Sequence, residues 1–110
     1  MLSESQNSSV AVPPSEHRLA EPLLTDILGE LEGWAREGEA ITKTYTFKGF
    51  KGAMAFVNKV ADAANAANHH PDIHIEGYKT VRIVLTTHAT KGISQADIDL
   101  AQAIDRIPSA

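Results

Sequence analysis

The sequence predicts an α+β fold: a single domain with a four-stranded antiparallel sheet and three helices packed on one face, in the order α-β-β-α-β-β-α. Three observations predict it. Apolar residues recur at helical spacing in three separate stretches. Between them lie two pairs of short runs with strand-like alternation or strand-forming composition. Strands that arrive as hairpin-like pairs, rather than singly between helices, pair antiparallel and leave the helices to cover one face.

The elements follow in chain order. Residues 1–18 are dominated up to Ser15 by Ser, Pro, Gln and Asn without periodicity, and are expected to form a disordered N-terminal tail ahead of a domain at 19–110. His17 in that stretch reads as an exposed polar residue. Residues 22–33 carry Leu23, Leu24, Ile27, Leu28 and Leu31 at the spacing of a helix buried on one side. Glu21 and Pro22 suit its start and Gly33 its stop. A short strand at 34–37 and a turn at Glu37-Gly38-Glu39 lead into residues 40–47. There Ile41, Lys43, Tyr45 and Phe47 alternate with Thr42, Thr44 and Thr46, and the residue types are those of strands.

From residue 50 to 68 the period changes to 3.6. Phe50, Ala53, Met54, Val57, Val60, Ala61 and Ala64 form one apolar face. Pro71 pushes the residue before it out of helical dihedrals, so this helix should end by His69 and leave His70 extended. Two strands, 73–76 and 80–87, are joined through Gly77, with Val81, Ile83 and Leu85 on one face of the second. Ser94 opens a last helix over 95–106, with Ile98, Ala101, Ile104 and Ile107 turned inward and Pro108 beyond its end. Ser94-x-x-Asp97 has the spacing of a capping box, with Asp in place of Glu or Gln. Trp34, Tyr45, Phe47, Phe50 and Phe56 are expected in the core.

Composition narrows the function. The 110 residues fit one domain. With no cysteine, disulfides and thiolate metal sites are excluded. A net charge of −4 with scattered Lys and Arg lacks the basic patch of a nucleic-acid binder. No apolar run approaches the roughly 20 residues of a membrane-spanning helix. Signal-peptide features are missing from the first twenty residues, so a cytoplasmic location is expected.

The chemistry concentrates in "ANHHPDIH", residues 67–74, which holds three of five histidines. His70 and His74 share a metal-like spacing, but Pro71 removes the helix that would align them. Only Asp72 stands near as a further ligand, so no metal is expected. Imidazole gives and takes protons near neutrality. His69 and His70 follow a helix C-terminus, where carbonyl dipoles favour a cation. On residue chemistry alone two readings remain open: an acid/base pair joined by His88 through the fold, or a capping His69, a surface His74 and a loop His88.

Taken together, His69-His70-Pro71, Tyr78, Thr87-His88, Gly92-Ile93-Ser94 and Asp97 resemble the pterin-4a-carbinolamine dehydratases. Gly33-Trp34, Tyr45-x-Phe47-x-x-Phe50, Phe56, Val60-Ala61 and Leu100-Ala101-x-x-Ile104-Asp105 extend the likeness over about residues 20–107. The resemblance implies the fold read above, assembly as homodimers or homotetramers, and dehydration of 4a-hydroxytetrahydrobiopterin to quinonoid dihydrobiopterin. That step belongs to tetrahydrobiopterin recycling and implies a functional link to an aromatic amino-acid hydroxylase. No cofactor is implied, because no redox step occurs. By the same resemblance His70 is the principal acid/base, with His69 and His88 binding the pterin and moving the second proton. Pro71 holds the histidine pair, Asp97 supports it from the last helix, and Thr87 stands beside His88. Asn65 departs from the charged residue usual one helical turn before His69. An alternative follows from the same family, whose animal members also act as non-catalytic dimerisation cofactors, binding a helix of a transcription regulator.

Overall fold

The structure, a computed structural model, describes residues 14–108. Residues 1–13 of the expected tail lie outside the described residues. Pro14–Glu16 forms a single 3-10 turn, and Arg18 then makes an antiparallel bridge with Ser94. The elements are α1 (Glu21–Gly29), β1 (Ala35–Glu37), β2 (Ala40–Thr46), α2 (Phe50–Ala67), β3 (Asp72–Glu76), β4 (Thr80–Leu85) and α3 (Gln95–Asp105). Every strand pairing is antiparallel and the sheet order is β1-β2-β4-β3. Two local hairpins are therefore fused along β2 and β4, where Ile41 faces Leu85 and Tyr45 faces Val81.

The α+β architecture matches the predicted order. The alternation in β2 and β4 sends Ile41, Tyr45, Val81, Ile83 and Leu85 into the core, against Phe56 and Val60 of α2 and Ile98, Ala101 and Ile104 of α3. Thr44 and Thr46 stay exposed on the opposite side of the sheet. Two aromatic contacts, Tyr45 to Phe56 and Phe47 to Phe56, close one end of this core at centroid separations of 4.7 and 5.1 Å. Phe50 departs from expectation: at the first position of α2 it is 54% exposed. Among the described residues, no helix is long and apolar enough to cross a membrane.

The element ends differ from the sequence reading for local reasons. α1 stops at Gly29, and the chain reaches Leu31 through tight turns in which Glu30, Leu31 and Trp34 donate their backbone N–H groups to Ile27, Leu28 and Leu31. Leu31 is thus buried without being helical, which is why its spacing imitated a longer helix. Gly33 serves the turn rather than a helix stop. Its φ is +87°, and an added Cβ would lie 2.8 Å from the Lys43 side chain. Helix α2 ends two residues ahead of any influence of Pro71. Asn68 adopts the left-handed conformation, its N–H bonds Asn65 O, and the His69 N–H bonds Ala64 O. This pair of bonds is a Schellman motif, with Asn as the non-glycine residue best suited to that conformation.

Candidate active site

The centre of the site is a carboxylate. Asp97 is the third residue of α3 and is fully buried. A buried, isolated carboxylate is very costly, so its oxygens must be satisfied. Oδ1 lies 2.5 Å from His69 Nε2. Oδ2 accepts the Thr87 hydroxyl at 2.8 Å and the Ser94 backbone N–H at 3.0 Å. The last bond is the carboxylate half of the capping box that the spacing predicted. Asp97 therefore caps its own helix and orients a histidine with the same group.

That contact engages the Nε2 side of the His69 ring. An ionised carboxylate only accepts, so opposite it Nε2 is the nitrogen that donates. The ring is nearly buried, with 11% of the side chain accessible. Its backbone is fixed by the Schellman turn, its ring by Asp97. Ser94 adds its hydroxyl to the network, 2.7 Å from that of Thr87. The sequence marked Ser94 as a cap and as part of the family motif, but its spacing from Thr87 carries no pattern by which this contact could be read.

The network joins the far ends of three elements. His69 leaves α2, Thr87 follows β4, and Ser94 and Asp97 begin α3. Next along the chain from the two fixed residues stand His70 and His88, both exposed. His88 opens a closed turn: the Thr87 N–H donates to Gly92 O at 2.9 Å, and the Gly92 N–H donates back at 3.3 Å. Pro71 is half-buried and precedes β3. Asn65 is exposed on the last turn of α2. His74 lies on β3 opposite Arg82, exposed and outside this network. Tyr78 is 60% exposed at the β3–β4 turn, with φ +56°, at the other end of β4 from Thr87. Among the described residues, no three His, Asp or Glu side chains form a metal-ligand set.

A second carboxylate hub closes the opposite end of α3. Asp105 accepts the Tyr45 hydroxyl at 2.6 Å, Lys43 Nζ at 2.9 Å and the Trp34 indole N–H at 2.9 Å. Burial alone would raise the Asp105 pKa. The hydrogen bonds from Tyr45, Lys43 and Trp34 outweigh it and hold the group below the usual carboxylate value. The Tyr45 phenol is pushed well above its usual value, first by burial and then by its bond to Asp105. Trp34 is buried as predicted, but its partner on the last helix was not legible in the sequence.

The fold and site thus define a small α+β sheet-and-helix domain with a buried aspartate that clamps a histidine, and an exposed histidine next in sequence to each of two members of its network. Comparison with known proteins makes this specific. The family model described as pterin 4 alpha carbinolamine dehydratase matches residues 17–107, and the chain belongs to that family. A protein of Thermomicrobium roseum, provisionally named a pterin-4-alpha-carbinolamine dehydratase, is 47% identical over 92 residues, covering 84% of this chain and 98% of the relative. A similarly named protein of Koribacter versatilis is 51% identical over 89 residues, covering 81% and 94%. Among solved structures, a transcriptional coactivator/pterin dehydratase from Brucella melitensis superposes with TM-score 0.76 at 33% identity, over 81% of this chain and 96% of that one. A pterin dehydratase-like protein identified as a RuBisCO assembly factor of the α-carboxysome gives TM-score 0.52 at 25% identity, over 66% and 82%.

Proposed function

We propose that this protein removes water from a 4a-hydroxytetrahydropterin by histidine acid/base catalysis. The reaction breaks the bond between carbon 4a and its hydroxyl and removes the proton on nitrogen 5, leaving a double bond between them and one water. One group must protonate the departing hydroxyl and another must take the nitrogen proton. The observation that carries the reading is the Asp97 network. It commits His69 Nε2 and leaves Nδ1 uncommitted, and an exposed histidine follows each of two residues the network fixes, His70 after His69 and His88 after Thr87. His70 is the acid at the hydroxyl. His69 and His88 bind the pterin and accept the second proton. The substrate by family likeness is 4a-hydroxytetrahydrobiopterin, the product of aromatic amino-acid hydroxylases, so the role is recycling of the tetrahydropterin.

Assembly as a homodimer or homotetramer, and a cytoplasmic location, complete the reading. Assembly is supported by β3, an edge strand whose helix-side Ile75 is 37% exposed. A second reading, as a helix-binding dimerisation cofactor, draws on the Brucella relative, described as a coactivator as well as a dehydratase. The histidine arrangement has no use in that role, and it decides the order of the two readings. The test is direct: 4a-hydroxytetrahydropterin is generated with a hydroxylase and its decay is followed with and without folded protein. Marked acceleration is expected; an unchanged decay rate sinks the proposal.

A further inference from the structure

The turn that presents His88 is exposed at His88, Ala89 and Lys91. Residues 88–91 are closed at their base by the paired Thr87–Gly92 backbone bonds and braced within by the Thr90 N–H to Thr87 O and Lys91 N–H to His88 O bonds, both 3.2 Å, and Lys91 has φ +54°. His88 itself is exposed and makes no side-chain hydrogen bond among the described residues. What lies against the base of this turn comes from the far end of the chain. The Leu19 N–H donates to Ile93 O at 2.9 Å, and Arg18 bridges Ser94. The Arg18 side chain is laid across Gly92: a Cβ there would meet Arg18 Nε at 2.8 Å, Cδ at 3.0 Å and Cγ at 3.1 Å. From the other side Thr86 Oγ1 donates to Glu39 O at 2.5 Å, while the Glu39 carboxylate stands 4.0 Å from the Arg18 guanidinium.

We propose that Arg18 is a positioning residue for the dehydration, holding the His88 turn at the site by its contact with Gly92. This rests on the function proposed above. The residue touches no reacting atom. It acts through Gly92, which is buried and whose lack of a side chain is explained by the arginine stem rather than by backbone conformation. Ser94, one step beyond the bridge, belongs to the Asp97 network, so the same segment sits against both supports of the site. The ion pair with Glu39 is half-exposed at 4.0 Å and contributes little by itself. The aliphatic part of Arg18 carries the contact.

The test measures kcat and KM for 4a-hydroxytetrahydropterin together with the His88 ring resonances by NMR, in the full chain. Arg18→Ala should lower kcat by roughly tenfold with KM nearly unchanged, the scale of a small misplacement of a reacting group. Arg18→Lys, which keeps the stem, should recover most of the rate. Gly92→Ala should reproduce Arg18→Ala by displacing the arginine, and the double variant should be no worse than either single one. The His88 signals should move in Arg18→Ala and Gly92→Ala but not in Arg18→Lys. Unchanged kcat with unmoved His88 signals overturns the proposal, as does additive loss in the double variant. If the unsubstituted protein shows no acceleration at all, the dehydratase reading fails, and the His88 signals alone decide whether Arg18 holds the turn.

Discussion

Two aspartates stand about two turns apart on α3, and each gathers three donors. Asp97 is 0% exposed and one of its partners is an imidazole. Asp105 keeps 28% of its side chain in solvent, and its donors are a phenol, an ammonium and an indole. The same residue type on the same helix is thus a histidine orienter at one end and a clasp at the other. What separates them is the chemistry of the donors and the depth of burial, not the number of hydrogen bonds.

Exchanging the carboxylates for amides breaks this comparison most sharply. In Asp97→Asn the amide oxygen can keep Thr87 and Ser94, which turns the NH2 group toward His69. Two N–H groups cannot face each other, so Nε2 must become the acceptor and the proton moves to Nδ1, the atom that has to stay free to act as a base. Activity should fall roughly 10²–10⁴-fold with the fold retained, as expected for a wrong tautomer. His70→Ala should give a loss of similar order in kcat with a smaller change in pterin binding. Asp105→Asn should leave the rate within about threefold, because its network touches no histidine. Steady-state rates with binding measured separately check all three. A rate loss for Asp105→Asn equal to that of Asp97→Asn would erase the distinction.

Stability should reverse the order. Asp105→Ala releases three donors that join α3 to β2 and to the segment before β1. Part exposure lets water replace some of them, so a cost of about 2 kcal/mol is expected in denaturant unfolding. The pH dependence sharpens the point. Asp105 has a lower pKa folded than unfolded, so its contribution is present above the unfolded value and lost as pH falls through the folded one. Below about pH 4 the unsubstituted protein should lose stability more steeply than Asp105→Asn. Tyr45, raised on folding, works the other way: its contribution is present below the unfolded value near pH 10 and is lost above it. Tyr45→Phe should flatten the alkaline limb. Parallel acid limbs for Asp105→Asn and the unsubstituted protein would contradict the clasp.

How much of this was legible follows the range of the interactions. Period-two alternation put Ile41, Tyr45, Val81, Ile83 and Leu85 in the core correctly, because each side chain's direction is decided within its own strand. The Ser94-x-x-Asp97 cap was legible for the same reason. Helix ends were less so. Leu31 kept helical spacing in a turn, and Pro71 drew the stop that Asn68 makes. Least legible were the long-range polar partners. His69 with Asp97 came only from family resemblance. Thr87 with Ser94, Trp34 with Asp105 and Arg18 with Gly92 have no local signature, since they depend on how α3 and the N-terminal segment are laid across the sheet.

The smallest effect tests whether exposure or burial gives a carboxylate its influence on the site. Asn65 lies on the last turn of α2, exposed, one turn ahead of His69. Asn65→Glu would add a carboxylate near the same histidine that Asp97 serves, but in solvent. An acid at a helix C-terminus opposes the macrodipole, so about 0.3–1 kcal/mol of stability should be lost. A charge there favours a protonated imidazole, so kcat should rise, yet solvent limits the benefit to about 1 kcal/mol, or less than about fivefold. The gain should shrink as salt is raised from low ionic strength to about 0.15 M, where the screening length is about 8 Å. Rates measured across that range decide it. A larger, salt-insensitive change would mean that residue 65 contacts the pterin itself, and the site would then need a second carboxylate as well as Asp97.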